Sequence, residues 1–329
     1  MARPLVIVSH QLPEAWLELL RGRCQLFVGP ETKINSGLAP ELEQRLTTAE
    51  GLLTLLTVPV GESLLSRAPK LRVVSNMAVG VDNIDLQACS RRGIPVGHTP
   101  GVLTEGTADL TLGLILATAR RLYEASSYAR SGRWTNWEPA GWLGVDLPGA
   151  TLGIVGMGKI GTAVAERARA FGMRLVYTNR SRKPEVEGAL GATPLPLEEL
   201  LRQSDFVSLH VPLTPETHYL VDEPALRLMK PTAILINVAR GPVVDSKALY
   251  SALYEKRIAA AGLDVTDPEP LPAGDPLYTL PNCLIVPHIG SATVNTRRRM
   301  AELACENLLS GLAGERLPHP ANPEVYHDG

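Results

Sequence analysis

The stretch from Thr151 to Phe171, TLGIVGMGKIGTAVAERARAF, decides the fold. Its first five residues make a short apolar run containing Ile154 and Val155, the pattern of a buried parallel strand. Gly156, Gly158 and Gly161 follow in the GxGxxG spacing, with Lys159 and Ile160 between the last two. From Thr162 the periodicity becomes helical and runs to Phe171. The glycines serve three physical needs, namely a tight turn, a close backbone approach to a pyrophosphate, and close contact of helix with strand. In a chain with 29 glycines the spacing alone is weak, and an ordinary tight turn would produce it. A strand before it, a helix after it and a second strand, RLVYT (Arg174 to Thr178), complete a βαβ unit. That unit predicts a dinucleotide site with Gly156, Gly158, Lys159, Ile160 and Gly161 as its phosphate loop.

The residue beyond the second strand selects the dinucleotide. NAD-preferring sites place Asp or Glu there to accept the ribose hydroxyl hydrogens. This chain has Asn179, followed by Arg180, Ser181 and Arg182. A carboxylate would repel the 2′-phosphate of NADP, whereas a neutral amide tolerates it and guanidinium and hydroxyl groups can donate to it. The reading is NADP(H) as the preferred cofactor, with NAD(H) possible. The alternative is a solvated basic turn.

Outward from this unit, apolar runs alternate with helix-like segments along the chain. Before it lie LVIV (Leu5 to Val8), GLLTLL (Gly51 to Leu56), LRVVSN (Leu71 to Asn76) and IPVGHT (Ile94 to Thr99). After it lie FVSLH (Phe206 to His210), AILINV (Ala233 to Val238), AAAGLDV (Ala259 to Val265) and CLIVPH (Cys283 to His288). This rhythm predicts an α/β fold of two Rossmann-like, doubly wound parallel-sheet domains with a cleft between them. Residues 1–101 with 292–329 form a discontinuous, flavodoxin-like substrate-binding domain, and residues 102–291 form the dinucleotide-binding domain. The segment GVLTEGTADLTLGLILATARRL after Pro100 reads as a helix apolar nearly all round, buried on several sides as the first domain crossing or in a subunit interface. The late segment TRRRMAELACENLLSGL would pack back on the first domain.

Composition narrows the partners. The 329 residues are 45% hydrophobic and 20% charged, enough for two cores, and the formal net charge of −2 gives no field to recruit nucleic acid or an anionic membrane. Arg297 to Arg299 read as a solvated helix face. No segment offers the ~20 apolar residues of a membrane span, and the N-terminal apolar run is too short for a signal peptide. Cys24, Cys89, Cys283 and Cys305 are scattered, without the spacing of a disulfide framework or a metal site. The expectation is a soluble, cytoplasmic protein acting on a small molecule, with no metal.

In a doubly wound sheet, ligands sit beyond the carboxyl ends of strands, and three residues there can carry chemistry. Arg240 follows AILINV, Glu269 lies in the loop after AAAGLDV, and His288 follows CLIVP. A guanidinium fork suits a substrate carboxylate or keto oxygen, an imidazole suits proton exchange near neutral pH, and Glu269 is the candidate carboxylate to orient that ring. Singly, each could be a surface ion pair or a plain loop residue. His210 also follows a strand and is the rival acid/base, although no carboxylate lies close to it in sequence.

Taken in order and spacing, GMGKIG, NVARG, GLDVTDPEP and PHIGSAT resemble the D-2-hydroxyacid dehydrogenase family over nearly the whole chain. Within it, NMAVGVDNID, GRWTNWEPAGWLG and DVTDPEPLP are similar to the glyoxylate/hydroxypyruvate reductases. The resemblance implies that Arg240 holds the 2-keto acid, His288 donates the proton and Glu269 pairs with it. It implies that the backbone amides at Val79 and Gly80 receive the substrate carboxylate and that Ser291 neighbours the substrate. Asp264 would lie near the nicotinamide amide, and Pro212, Val238, Arg240 and Gly290 among the cofactor contacts. Asn179 departs from the acidic form of NAD-using relatives. Trp134, Trp137 and Trp142 are either core or dimer-interface anchors, and Trp137 is the one expected to reach a neighbouring subunit's site in a homodimer.

The implied reaction is NADPH-dependent reduction of glyoxylate to glycolate and of hydroxypyruvate to D-glycerate. Two alternatives share the motifs: another NAD(P)-dependent member of the family, of the phosphoglycerate or D-lactate type, and a dinucleotide-sensing co-repressor on the same fold.

Overall fold

The computed structural model describes residues 3–31 and 37–326. The chain divides into two compact units, Met1–Leu103 with Thr293–Gly329, and Thr104–Ala292.

In the first unit, strands β1 (Leu5–Val8), β2 (Gln25–Val28), β3 (Gly51–Thr54), β4 (Val73–Asn76) and β5 (Val96–Gly97) make a parallel sheet in the order β2-β1-β3-β4-β5. Short helices α1 (Pro40–Glu43), α2 (Glu62–Leu65) and α3 (Leu86–Arg91) lie between its strands in sequence. Ile7, Leu52, Val74 and Val96, one from each of four strands, share a core with Leu46 and Leu65. Strand β1 has the expected bounds, β3 and β4 are each shorter at one end, and β5 retains only two residues of IPVGHT because Pro95 lacks an N–H and Pro100 follows closely. The edge strand β2 escaped the sequence reading: its QLFV is only partly buried and shows no clean alternation.

The second unit begins at α4 (Thr104–Ala119) and α5 (Leu122–Arg130). There follow β6 (Thr151–Val155), α6 (Lys159–Ala170), β7 (Arg174–Thr178), α7 (Pro184–Leu190), β8 (Thr193–Pro194), α8 (Leu197–Gln203) and β9 (Phe206–Leu209). The unit continues through α9 (Glu223–Leu228), β10 (Ile234–Asn237), α10 (Ser246–Tyr254), β11 (Ala260–Leu263) and β12 (Cys283–Ile285). The sheet is parallel, in the order β12-β11-β10-β9-β6-β7-β8. The chain runs outward from β6 to β8, then crosses back to place β9 on the other side of β6. The topological switch, where such sheets open a crevice, therefore lies between β6 and β9.

The apolar helix α4 is buried on two sides. Leu112, Leu114 and Ile115 share a core with Ile154, Ala163 and Ile236. A Cβ placed at Gly262 of β11 would come within 3.2 Å of Thr118, so the helix lies directly on the sheet. Arg167 of α6 fastens the other side through 2.7 Å bonds to Glu105 and Asp109 of α4. Helix α6 starts at Lys159, a turn earlier than the expected Thr162, because extended Gly158 (φ −81°, ψ −166°) already serves as its N-cap.

The chain then returns to the first unit as α11 (Val294–Ala313), capped by the Thr293 side chain and terminated by left-handed Gly314. Leu308 reaches Gly51 of β3, and Gly311 lies so close to Val73 of β4 that a Cβ there would stand 2.5 Å from it. Among the described residues no helix is long and apolar enough to cross a membrane.

Candidate active site

The glycine loop sits at the switch between β6 and β9. Gly156 has φ +99°, and a Cβ on it would lie 2.7 Å from the carbonyl oxygen of His210, the residue that follows β9. A Cβ on Gly161 would lie 2.2 Å from the carbonyl oxygen of Gly156, so the first turn of α6 rests on the loop itself. Around Gly158 a Cβ would meet nothing within 4 Å. Two glycines are thus required by protein packing, and the third faces open space at the N-terminus of a twelve-residue helix. That is the cradle a pyrophosphate needs, and the residues present fit a dinucleotide. Lys159 is exposed beside it and Ile160 half-buried.

Asn179 ties the ribose end of this loop together. Its Oδ1 accepts from the Met157 N–H at 3.2 Å, and its Nδ2 donates to the Ser181 carbonyl at 2.9 Å. Beyond it, Arg182 pairs with Glu187 of α7, with Nε 3.1 Å from Oε1 and Nη2 on Oε2. The buried Tyr177 donates its hydroxyl to Glu187 at 2.7 Å and accepts from the Lys183 N–H at 2.7 Å. Arg182 and Tyr177 together hold the Glu187 carboxyl below the usual carboxylate range. Arg180 and Ser181 are exposed, and Arg180 makes no ion pair among the described residues. The basic run is therefore divided: one guanidinium is tethered and the other stands in solvent.

The loops after β10, β11 and β12, three neighbouring strands, bring together the catalytic candidates. The buried Asn237 ends β10; its Oδ1 accepts from the Ala239 N–H at 3.0 Å and its Nδ2 donates to the Arg240 carbonyl at 2.9 Å, which fixes the turn carrying Arg240. The Arg240 side chain is half-buried, with Nη1 2.8 Å from the Ala239 carbonyl. A Cβ on Gly241 would lie 1.8 Å from the Thr266 carbonyl oxygen, so the loops after β10 and β11 touch backbone to backbone. Glu269, in the second of these, meets His288, in the third, at 2.6 Å between Oε1 and Nδ1.

His288 has a left-handed backbone, φ +50°, which a non-glycine residue holds only when its surroundings fix it. Asp264 does this. The His288 N–H donates to the Asp264 carbonyl at 2.9 Å, while the Asp264 carboxylate accepts from the N–H groups of Ile289 at 2.6 Å and Gly290 at 2.9 Å. Burial raises the Asp264 carboxyl above its ordinary pKa, against the pull of those two amides and of His288.

The rival His210 is a different kind of group. Its Nε2 bonds the Ser208 hydroxyl at 2.8 Å, its Nδ1 is buried without a hydrogen-bond partner, and burial pushes its pKa down to about 3. A ring whose charged form is disfavoured in this way is a poor proton donor near neutral pH. Of the remaining positions, Val238 and Gly290 are buried, Ser291 is half-buried, and Pro212 is exposed, with its carbonyl accepting from Thr217 Oγ1 at 2.6 Å. Trp134, Trp137 and Trp142 are 66%, 76% and 38% exposed, which rules out the core reading for them. The segment around them is a loop, in which the Trp142 ring lies 5.0 Å from that of Tyr128 and under the Arg121 guanidinium.

In the first unit, Val79 and Gly80 lie half-buried in the loop after β4. Sequence reasoning found this loop but missed the groups that hold it, Asn76 and His98, as it missed Asn237 and Glu187. Buried Asn at a strand end, in SN before MAVG and IN before VARG, was the available signal.

Residues 112–290 match the family model described as D-isomer specific 2-hydroxyacid dehydrogenase, NAD binding domain. The chain is 50% identical over 330 residues to a glyoxylate reductase of Aeropyrum pernix, covering 99% of this chain and 98% of that one. The crystal structure of the TT0316 protein from Thermus thermophilus is similar at a TM-score of 0.90 and 51% identity, over 96% of this chain and 99% of that chain. An NADPH-dependent glyoxylate/hydroxypyruvate reductase from Sinorhizobium meliloti, solved with NADP and malonate, is similar at a TM-score of 0.84 and 32% identity over 98% of each chain. With its glycine loop, its two parallel sheets and these matches, the chain belongs to the D-isomer specific 2-hydroxyacid dehydrogenases and is an NAD(P)-dependent oxidoreductase acting on CH–OH groups.

Proposed function

We propose that the protein reduces glyoxylate to glycolate, and hydroxypyruvate to D-glycerate, with NADPH, and that His288 donates the proton. The observation that carries this reading is the 2.6 Å pairing of His288 Nδ1 with Glu269. With Nδ1 tied to a carboxylate, the ring is oriented and Nε2 becomes the atom that gives the proton to the carbonyl oxygen. Arg240 polarises that oxygen and holds the carboxylate of the keto acid. The backbone amides of the Val79–Gly80 loop are the first unit's groups for receiving a substrate carboxylate, and Ser291 neighbours the substrate. When bound, the reduced nicotinamide supplies the hydride that adds to C2. Gly156, Gly158, Lys159, Ile160 and Gly161 hold its pyrophosphate, and Pro212, Val238, Asp264 and Gly290 line the remainder.

The preference for NADPH rests on Asn179. Its amide is neutral, and Arg180, Ser181 and Arg182 supply donors to a 2′-phosphate, with Glu187 keeping Arg182 in place. Similarity to the Sinorhizobium reductase solved with NADP supports the same choice. The chain acts as a homodimer in the cytoplasm, a reading supported by the 76% exposed Trp137 and by four cysteines that are free and buried.

Steady-state assays of NADPH and NADH against glyoxylate, hydroxypyruvate, pyruvate and 3-phosphohydroxypyruvate test the proposal. The expected result is the highest kcat/KM with NADPH and glyoxylate. Preference for NADH with pyruvate or the phosphorylated acid, or absence of turnover, overturns it.

A further inference from the structure

Beyond β4, three successive carbonyl oxygens are each held by a donor of the first unit. The Ala78 carbonyl accepts from the Thr99 N–H at 2.9 Å, the Val79 carbonyl from His98 Nδ1 at 3.0 Å, and the Gly80 carbonyl from Asn76 Nδ2 at 3.0 Å. In a trans peptide the C=O of one residue and the N–H of the next point in opposite directions. Fixing these three carbonyls therefore fixes the N–H groups of Val79, Gly80 and Val81, all aimed away from the donors. None of the three makes a hydrogen bond among the described residues.

The donors are themselves anchored. Asn76 is fully buried and also bonds Asn83 Oδ1 at 3.1 Å, and Asn83 in turn donates to the carbonyls of Leu55 and Val58. The His98 carbonyl accepts from the buried Asn307 of α11 at 2.9 Å, and the His98 N–H donates to the His319 carbonyl at 3.1 Å. Asn307 fits against β5 only because residue 97 is glycine, since a Cβ there would stand 2.6 Å from the Asn307 Cβ. The Val79 carbonyl can only accept, so His98 must carry its proton on Nδ1.

We infer that Asn76 and His98 are positioning residues that preset the backbone amides of Val79, Gly80 and Val81 as a carboxylate receptor, discriminating substrates that carry a carboxylate from those that do not. This rests on the proposed reaction with 2-keto acids, and it adds the side chains that set the receptor and its third amide. A preset receptor costs no reorganisation when the anion arrives.

The test compares His98→Ala, His98→Asn and Asn76→Ala with the wild type, using glyoxylate, its uncharged methyl ester, and potassium oxalate binding by calorimetry in the presence of NADPH. The Asn amide places a donor where Nδ1 stood, so His98→Asn restores what His98→Ala removes. The expected result for His98→Ala is a roughly 10-fold to 100-fold fall in kcat/KM for glyoxylate, carried by KM, and a matching loss of oxalate affinity. The methyl ester should change by less than about 3-fold, and His98→Asn should recover most of the loss. Asn76→Ala should act alike provided its thermal unfolding stays cooperative; His98, which is half-buried, carries the test if it does not. Equal losses for acid and ester, no change in oxalate binding, or no oxalate binding by the wild type overturns the inference. A wild type that binds oxalate yet does not reduce glyoxylate overturns the proposed reaction alone, and the oxalate comparison still decides the role of His98.

Discussion

Glu269 Oε1 and His288 Nδ1 stand 2.6 Å apart although they belong to loops after different strands, β11 and β12. A bond between two loops demands that both be fixed independently, and both are: Gly241 presses on the Thr266 carbonyl beneath Glu269, and Asp264 grips the backbone beyond His288. His288→Ala should therefore leave the fold and NADPH affinity intact while kcat for glyoxylate falls by ~10² to 10⁴. Glu269→Gln keeps the shape but removes the charge, and a fall of about 10-fold to 100-fold is expected. Coenzyme titration followed by fluorescence, beside steady-state kinetics, checks both; unchanged turnover in His288→Ala would exclude it as the proton donor.

Coenzyme choice should be movable at Asn179. An Asp in its place could still accept from the Met157 N–H, so the glycine loop would survive, but it would lose the bond to the Ser181 carbonyl and set a negative charge against the 2′-phosphate. Asn179→Asp combined with Arg180→Ala should lower the ratio of kcat/KM for NADPH over NADH by roughly ten to several hundred fold, allowing for solvent exposure of the arginine. Competition assays with both coenzymes in one cuvette read this ratio directly, and an unaltered ratio would place the selectivity elsewhere.

The same geometry shows which residues a sequence can announce. GMGKIG spelled its own fold because glycine is demanded at Gly156 by a positive φ and at Gly161 by a 2.2 Å approach, constraints local to a few residues. Arg240, Glu269 and His288 were legible as chemistry because they follow strand runs, but their convergence depends on strand order, with β10, β11 and β12 side by side. The supports were hidden for the opposite reason. Asn237 and Asn76 act through backbone atoms that any sequence supplies, and the Glu187 contact with Arg182 depends on where α7 starts after the turn. Of the two readings of the tryptophans the core one fails, because size and apolarity favour burial whereas Trp137 sits 76% exposed.

Asp264 should prove more important to the position of His288 than to the charge of the site. Both of its oxygens accept backbone N–H groups, and an Asn can offer only one acceptor while turning an NH₂ toward the other donor. Asp264→Asn should cost about 1 to 3 kcal/mol of stability through the orphaned amide and should depress kcat by displacing the His288 loop. Urea unfolding and kinetics measured on the same preparation test the pairing of these effects. Full activity with normal stability would mean the loop holds its conformation without the carboxylate.

The half-buried His210, with its Nδ1 shut away from solvent, predicts how the protein meets acid. Its folded pKa lies at about 3, below the ordinary 6.5 of an exposed imidazole, because burial excludes the charged form and Nδ1 finds no partner. Between those two values the unfolded chain binds a proton that the folded chain refuses, so stability is complete above the upper value and declines as pH falls. The slope this group contributes is ~1 kcal/mol per pH unit through that window. His210→Gln, which retains a donor and an acceptor near Ser208 but cannot titrate, should flatten the decline across the acid side of that window. Urea midpoints across that range measure it. Since the His210 carbonyl lies under Gly156, acid that charges this ring should loosen the glycine loop first, and coenzyme affinity should fall before secondary structure is lost. Parallel loss of both would place the acid-sensitive group elsewhere in the fold.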